Sequence, residues 1–279
     1  MNAHGAVPRR PPAAPSRGKG ALQAAFADLA EGARLWPQWF TLGNLEIRLR
    51  FRRTGLGPVW SSLSFAILVG ALGYVYARVL ALPPRNYLPY LALGLLVWSF
   101  AATILQEACE LYVHAGHTLK QLSLPKSVFL YRLLWRNLLL LALNGTIAAA
   151  ALILCRVRLA PVGALALPGL LLLSVNLLWL ALLLALAGAR FWAASRAVQA
   201  ALPIAMLVTP VIWRPTTPAL AALAAANPAY WAVELVRGPL LGTPPPAAVW
   251  SIAALLALAG AAAAFLTFAR LRDRLLYWL

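Results

Sequence analysis

The chain has 279 residues, of which 62% are hydrophobic and 11% charged, with a mean hydropathy of +0.77. Soluble domains carry about a quarter charged residues, so this composition excludes an ordinary soluble fold and puts the chain in the membrane class. The formal net charge of +17 would suggest nucleic acid in a soluble protein. Here the arginines stand mostly at the ends of apolar runs, where they act as topology signals facing anionic lipid.

Residues 1–33 are rich in Pro, Ala, Gly and Arg and hold no apolar core of signal-peptide length. They are expected to form a disordered basic cytoplasmic arm. Residues 34–53 follow. Leu45, Ile47, Leu49 and Phe51 alternate with polar residues, which is a strand pattern taken alone. On a helix, Trp36, Phe40, Gly43, Ile47 and Phe51 share one stripe. We prefer that helix, lying in the inner interface with its arginines snorkelling. Arg48, Arg50, Arg52 and Arg53 crowd against the first long apolar run. An arginine costs roughly 2.5–3.5 kcal/mol at the bilayer centre, so this cluster fixes the cytoplasmic edge of the first span.

A span needs about 20 apolar residues. Six segments of the region 54–270 meet that length, some marginally: 59–80, 88–109, 128–154, 162–188, 197–213 and 247–269. The fifth is short and holds Pro203 and Pro210. Segment 218–241 is apolar but broken by Asn227-Pro228 and Gly238-Pro239, so two half-helices dipping into the outer leaflet fit it better than a clean span. With both ends inside, eighteen Lys and Arg face the cytoplasm and six face out, a strong positive-inside bias. Residues 271–279 are then a cytoplasmic tail.

Chemistry-bearing motifs are sparse. The chain has seven acids and no GxSxG, HExxH or Walker A sequence. Cys109 and Cys155 have no metal or redox spacing. His114 and His117 are three apart, but a loop surface explains them better than a metal. The sequon at Asn144 lies inside a span. Glu107 and Glu110 end the second span while Arg132 and Arg136 begin the third, so they either pair or snorkel separately. The stretch 110–127 between these spans is longer than a simple connector needs and is expected to hold a short helix ended by Pro125, able to dock a soluble partner. Trp98, Phe100 and Trp179 fall inside spans, where aromatic faces could line a path for a sugar chain, although lipid or helix packing is the better account of any single one.

The order of these pieces, with RxRxRRTxLGPxW from Arg48 to Trp60 and NPxYWxxExxRxxLLG from Asn227 to Gly242, resembles the permease subunit of type-2 ABC exporters over about residues 35–270. The branch it looks most like exports lipid-linked polysaccharides of the O-antigen, capsule and teichoic acid kinds. The resemblance implies an all-α membrane protein: six transmembrane helices, an N-terminal interfacial amphipathic helix and a re-entrant outer helical hairpin between spans five and six. It also implies a multi-pass protein of the bacterial cytoplasmic membrane, working as a homodimer with two copies of a cytoplasmic ATP-binding subunit. On that account the chain is not an enzyme and carries no cofactor; ATP and Mg belong to the partner ATPase. Tyr112, His114, His117, Thr118, Lys120 and Gln121 would form the ATPase-docking loop. The entry would be Arg48, Arg50, Arg52, Arg53, Gly57 and Trp60, and Trp98, Phe100 and Trp179 would line the path. Asn227, Pro228, Tyr230, Trp231, Glu234 and Arg237 would belong to the hairpin. An exporter of a drug, lipid or peptide shares the fold and stays open, as does an ATP-independent carrier.

Overall fold

A computed structural model describes residues 19–51, 59–122, 124–158 and 160–279. The described residues form helices and connecting turns, with no strand. In chain order the helices are α1 (Lys19–Arg34), α2 (Trp36–Phe51), α3 (Val59–Val79), α4 (Pro84–Gln121), α5 (Ser127–Leu154), α6 (Ala166–Arg190) and α7 (Ala193–Val208). They continue with α8 (Pro218–Ala226), α9 (Pro228–Leu240), α10 (Ala247–Leu271) and a short α11 (Leu275–Trp278). Five stretches are long and apolar enough to cross a bilayer: Trp60–Val79, Pro84–Gln121, Ser127–Leu154, Pro161–Arg190 and Ala247–Trp278. The protein is therefore a multi-pass, all-helical membrane protein.

α4 is the central helix and packs against α3, α5, α6, α7 and α9. Of its most apolar stretch 56% is buried, against 22% in α5 and α10, whose outer faces are left for lipid. Small residues set the closest crossings. A Cβ on Gly188 of α6 would collide with the backbone carbonyl of Cys109 in α4, and one on Gly169 would collide with the carbonyl of Leu235 in α9. Bare glycine backbones let helices approach where lipid offers no hydrophobic drive for association. Gly260 of α10 gives the same room to the Trp179 ring.

Two expectations are corrected. Residues 19–34 are helical rather than a disordered arm, because KGALQAAFADLAEGAR is alanine-rich and lacks proline. α1 is also tied down. Asp28, only 4% exposed, accepts hydrogen bonds from the Lys126 N–H (3.2 Å) and the Ser127 N–H (3.0 Å) and pairs with Arg272 (3.1 Å). It thus caps α5 from another helix, where a carboxylate meets the positive end of the helix dipole. Gly32 makes room for the Ser127 side chain, whose hydroxyl donates to the Asp28 carbonyl at 2.7 Å.

The second correction concerns the stretch after Cys109. It holds no separate short helix: α4 runs unbroken for 38 residues, about 57 Å at 1.5 Å per residue, well beyond a core of about 30 Å. Nothing between 109 and 121 breaks a helix, and the chain turns only at Leu122, shortly before Pro125. The C-terminal residues pack onto the bundle. Leu275 is fully buried, Leu279 lies on Gly116, and the Arg190 guanidinium sits 5.2 Å from the Trp278 ring centroid.

Candidate functional site

The entry segment is helical, as preferred over a strand. α2 lies along α5: Gly43 faces Trp135, whose ring stacks on Phe40 at 4.8 Å, and Ile47 is buried. Arg52, Arg53 and Gly57, and the side chain of Phe51, lie outside the described residues. Glu46, one of the seven acids, proves to be the hub of this end. It accepts from Arg132 (3.0 Å) and Arg136 (2.8 Å). Arg136 also reaches Glu107, and the Asn137 amide donates to Glu107 at 3.0 Å. Arg50 stands 4.0 Å from the same carboxylate.

The pairing of Glu107 with Arg136 is thus present, while Arg132 pairs with Glu46. Glu110 instead accepts from the Ser195 hydroxyl (2.7 Å) and lies 3.8 Å from His114. Two carboxylates hold three guanidiniums here, so one positive charge, on the half-exposed Arg50, is left at the edge of the network. Mutual pairing offsets the desolvation of groups this near the membrane.

Above this network a groove of about 420 Å³ opens between α3, α4 and α5. Arg50 and Trp60 stand in its wall, with Ser61 and Ser64 of α3 and Ser99, Phe100 and Thr103 of α4. Asn137, Leu140, Leu141 and Asn144 line it from α5. The spacings are helical: three on α3, four between Ser99 and Thr103, seven between the asparagines, so each helix turns one polar strip inward. Among the described residues the lining is mainly hydroxyl, amide, aromatic and leucine, with the Arg50 guanidinium at its edge and no carboxylate. Several hydroxyls bond their own helix, Ser64 to the Trp60 carbonyl (3.0 Å) and Ser99 to the Leu96 carbonyl (2.9 Å), and each keeps acceptor capacity for a neutral polar ligand. Away from Arg50 the groove can hold a polar uncharged group without binding it tightly, and among the described residues that line it there is no nucleophile–base pair.

Of the path aromatics, only Phe100 lines this groove. Trp98 packs into the apolar cluster around Tyr87 and Leu91, and Trp179 bonds Asn176 (3.2 Å) and fills the space at Gly260. The signal that would have found the groove is polar residues at helical spacing inside apolar runs, including Asn144, which composition alone presents as a stray sequon.

The docking residues separate in the same way. Tyr112 is fully buried, its hydroxyl without a partner among the described residues, so it belongs to the core. His114, His117, Lys120 and Gln121 are exposed on the projecting turns of α4, and Thr118 is half-buried among them. His117 and Gln121 are joined at 2.9 Å. Among the described residues no group of His, Cys, Asp or Glu is arranged to hold a metal.

At the opposite end, α8 and α9 meet at a 97° bend. Asn227 makes it: its side chain accepts from the Ala229 N–H (2.9 Å), and its amide donates to Thr209 (3.0 Å), while Pro228 starts α9. Tyr230 and Trp231 lie 4.9 Å apart, and the Trp231 indole donates to the Ala225 carbonyl. Glu234 holds Arg237 through Nε at 2.9 Å. Arg237 is fully buried and stands 3.8 Å from the Tyr90 ring centroid, a cation–π contact that lowers the cost of a buried charge.

No protein-family model matches this chain, and no curated protein matches it.

Proposed function

We propose that this chain is the membrane-spanning permease subunit of an ATP-driven exporter that moves a lipid-linked polysaccharide across the cytoplasmic membrane. The observation that carries the reading is the groove at Ser61, Ser99, Thr103 and Asn144: a hydroxyl- and amide-lined path among membrane helices, flanked by Trp60 and Phe100. Sugars present hydroxyls and an apolar ring face, and such a lining matches both without trapping them. Energy must come from elsewhere, because the chain has no nucleotide-binding motif. The overhanging end of α4, with His114, His117, Lys120 and Gln121 exposed, suits contact with a cytoplasmic ATPase. A homodimer would set two grooves about a twofold axis.

The proposal includes six crossings with both termini in the cytoplasm. Asp28, Lys126 and Arg272 meet at one end of the bundle, which supports an even number of crossings between residues 126 and 272. α5, α6 and α10 supply three, and we assign the fourth to α7. It starts beside Arg190 and is followed by residues 210–213, whose carbonyls meet the hydroxyls of Tyr87 and Tyr90 at the far end of α4. α8 and α9 then form a re-entrant hairpin.

The test is purification from native membranes, followed by export. An ATPase should co-purify in equal amount, in a particle holding two copies of each. Ser99→Leu combined with Asn144→Leu should keep that complex and its ATP hydrolysis while cutting glycan export at least tenfold. A protein that purifies alone, under conditions where ABC complexes survive, overturns the assignment. Intact glycan export in the double variant would remove the groove from the path.

A further inference from the structure

The end of the bundle farthest from Asp28 holds a second, larger cleft, of about 940 Å³. Three arginines line it, each from a different place in the chain: Arg85 at the start of α4, Arg156 in the turn after α5, and Arg214 after α7. Their placement is built rather than incidental. Arg85 Nε donates to the Cys155 carbonyl at 3.0 Å, joining the start of α4 to the turn that carries Arg156. Arg156 itself has a φ of 53°, the left-handed conformation that costs an ordinary residue energy. Arg214 donates to the Asn86 carbonyl and lies 4.5 Å from the Tyr90 ring centroid.

Each of these bonds uses part of a five-donor guanidinium. None of the three has a carboxylate partner among the described residues. The one acid lining the cleft, Glu234, is committed to Arg237. Arginines that only snorkel to headgroups would be free of such carbonyl tethers, whereas Arg85 and Arg214 are pinned across the cleft wall. Tyr230 and Trp231 complete the lining beside them and offer ring faces to a neighbouring sugar or glycerol unit.

We infer that this cleft is a binding site for a phosphate group carried on a sugar or glycerol, held by Arg85, Arg156 and Arg214. Guanidinium forks match phosphate oxygens bidentately, and three of them meet a doubly charged phosphomonoester. The cleft has room for the attached ring or headgroup. That chemistry has two sources, a phosphorylated unit of an exported polymer or the headgroup of a membrane lipid. The inference concerns the cleft alone and holds whether or not the chain serves an exporter.

The test uses the full chain in a polyoxyethylene detergent, which brings neither phosphate nor sugar. Glucose 1-phosphate, sn-glycerol 3-phosphate, inorganic phosphate and glucose are titrated by calorimetry at low salt. Saturable binding of the two phosphomonoesters, competition by inorganic phosphate, no binding of glucose and weakening by added salt are expected. Arg156→Gln, an exposed change, should weaken binding about tenfold, and Arg214→Gln should do the same. Arg78→Gln, on α3 outside the cleft, should leave it unchanged. Tighter glycerol phosphate supports the site with a lipid headgroup as source; tighter glucose 1-phosphate supports it with a glycan as source. No saturable binding at millimolar ligand, equal binding of glucose, or undiminished binding in Arg156→Gln would overturn the inference.

Discussion

Single residues carry much of the order at the Asp28 end of the bundle. Asp28 is a carboxylate placed where two α5 backbone N–H groups would otherwise be buried without partners. Replacing it with alanine orphans those donors and frees Arg272, a loss of about 1–3 kcal/mol. Asp28→Ala should lower the thermal midpoint in detergent and make residues 19–34 sensitive to protease, while Asp28→Asn, which keeps one acceptor, should lose less. An unchanged midpoint in Asp28→Ala would show that the cap contributes nothing. Beside it, Lys126 donates to the Arg272 carbonyl at 2.6 Å. Burial, reinforced by the Arg272 charge, pulls its ammonium from 10.5 to about 8, with Asp28 and Asp273 opposing. Between about pH 8 and 10.5 the unfolded chain still holds a proton that the folded chain has released. Stability from this group therefore rises with pH across that window and is flat below it. The midpoint of the wild type relative to Lys126→Met should climb from pH 8 to 10.5; a constant difference would refute the depressed ammonium.

At the scale of elements, five of the six expected spans were legible because twenty apolar residues have one physical use, while the segment 197–213 forms only a shorter apolar helix. The entry helix was legible from its stripe, though its anchor was not: Glu46 looks like any surface acid until α5 brings Arg132 and Arg136 to it. α1 was missed because composition was weighed over helix propensity, and the positions it buries, Ala25, Asp28 and Gly32, include no large apolar side chain to mark a stripe. The overhang of α4 was missed because polar residues suggested a loop, although no residue there stops a helix. Groove residues were missed because serines and asparagines in spans carry no signal until three helices are set side by side. Glycine crossings follow the same rule. Gly188→Val puts a side chain into the Cys109 carbonyl, and over-packing of this kind costs about 1–3 kcal/mol. It should lower the thermal midpoint by several degrees, while Gly70→Val, which points into open space on α3, should not. Equal midpoints for the two variants would show that the α4–α6 crossing relaxes freely.

For the whole molecule, the proposed path of the chain turns on α7. At 16 residues it covers about 24 Å, less than a bilayer core of about 30 Å. Residues 209–213 make up the difference in non-helical form, which a membrane tolerates only when protein satisfies the backbone. Tyr90 meets the Pro210 carbonyl at 2.9 Å and Tyr87 meets that of Ile212 at 2.8 Å, so the requirement is met. The competing path leaves α7 on the Asp28 side and lets the bent α8–α9 pair cross instead. The two paths put Thr216 on opposite sides of the membrane. Cys109 and Cys155 are both buried, so single introduced cysteines can be labelled against a quiet background. In sealed vesicles of known orientation, Lys120→Cys and Leu276→Cys should react from one side with a membrane-impermeant maleimide. Thr216→Cys and Pro244→Cys should both react from the other. If Thr216→Cys instead reacts together with Lys120→Cys, α7 does not cross, and the contacts that hold residues 210–214 to Tyr87 and Tyr90, with the three-arginine cleft built on them, are refuted.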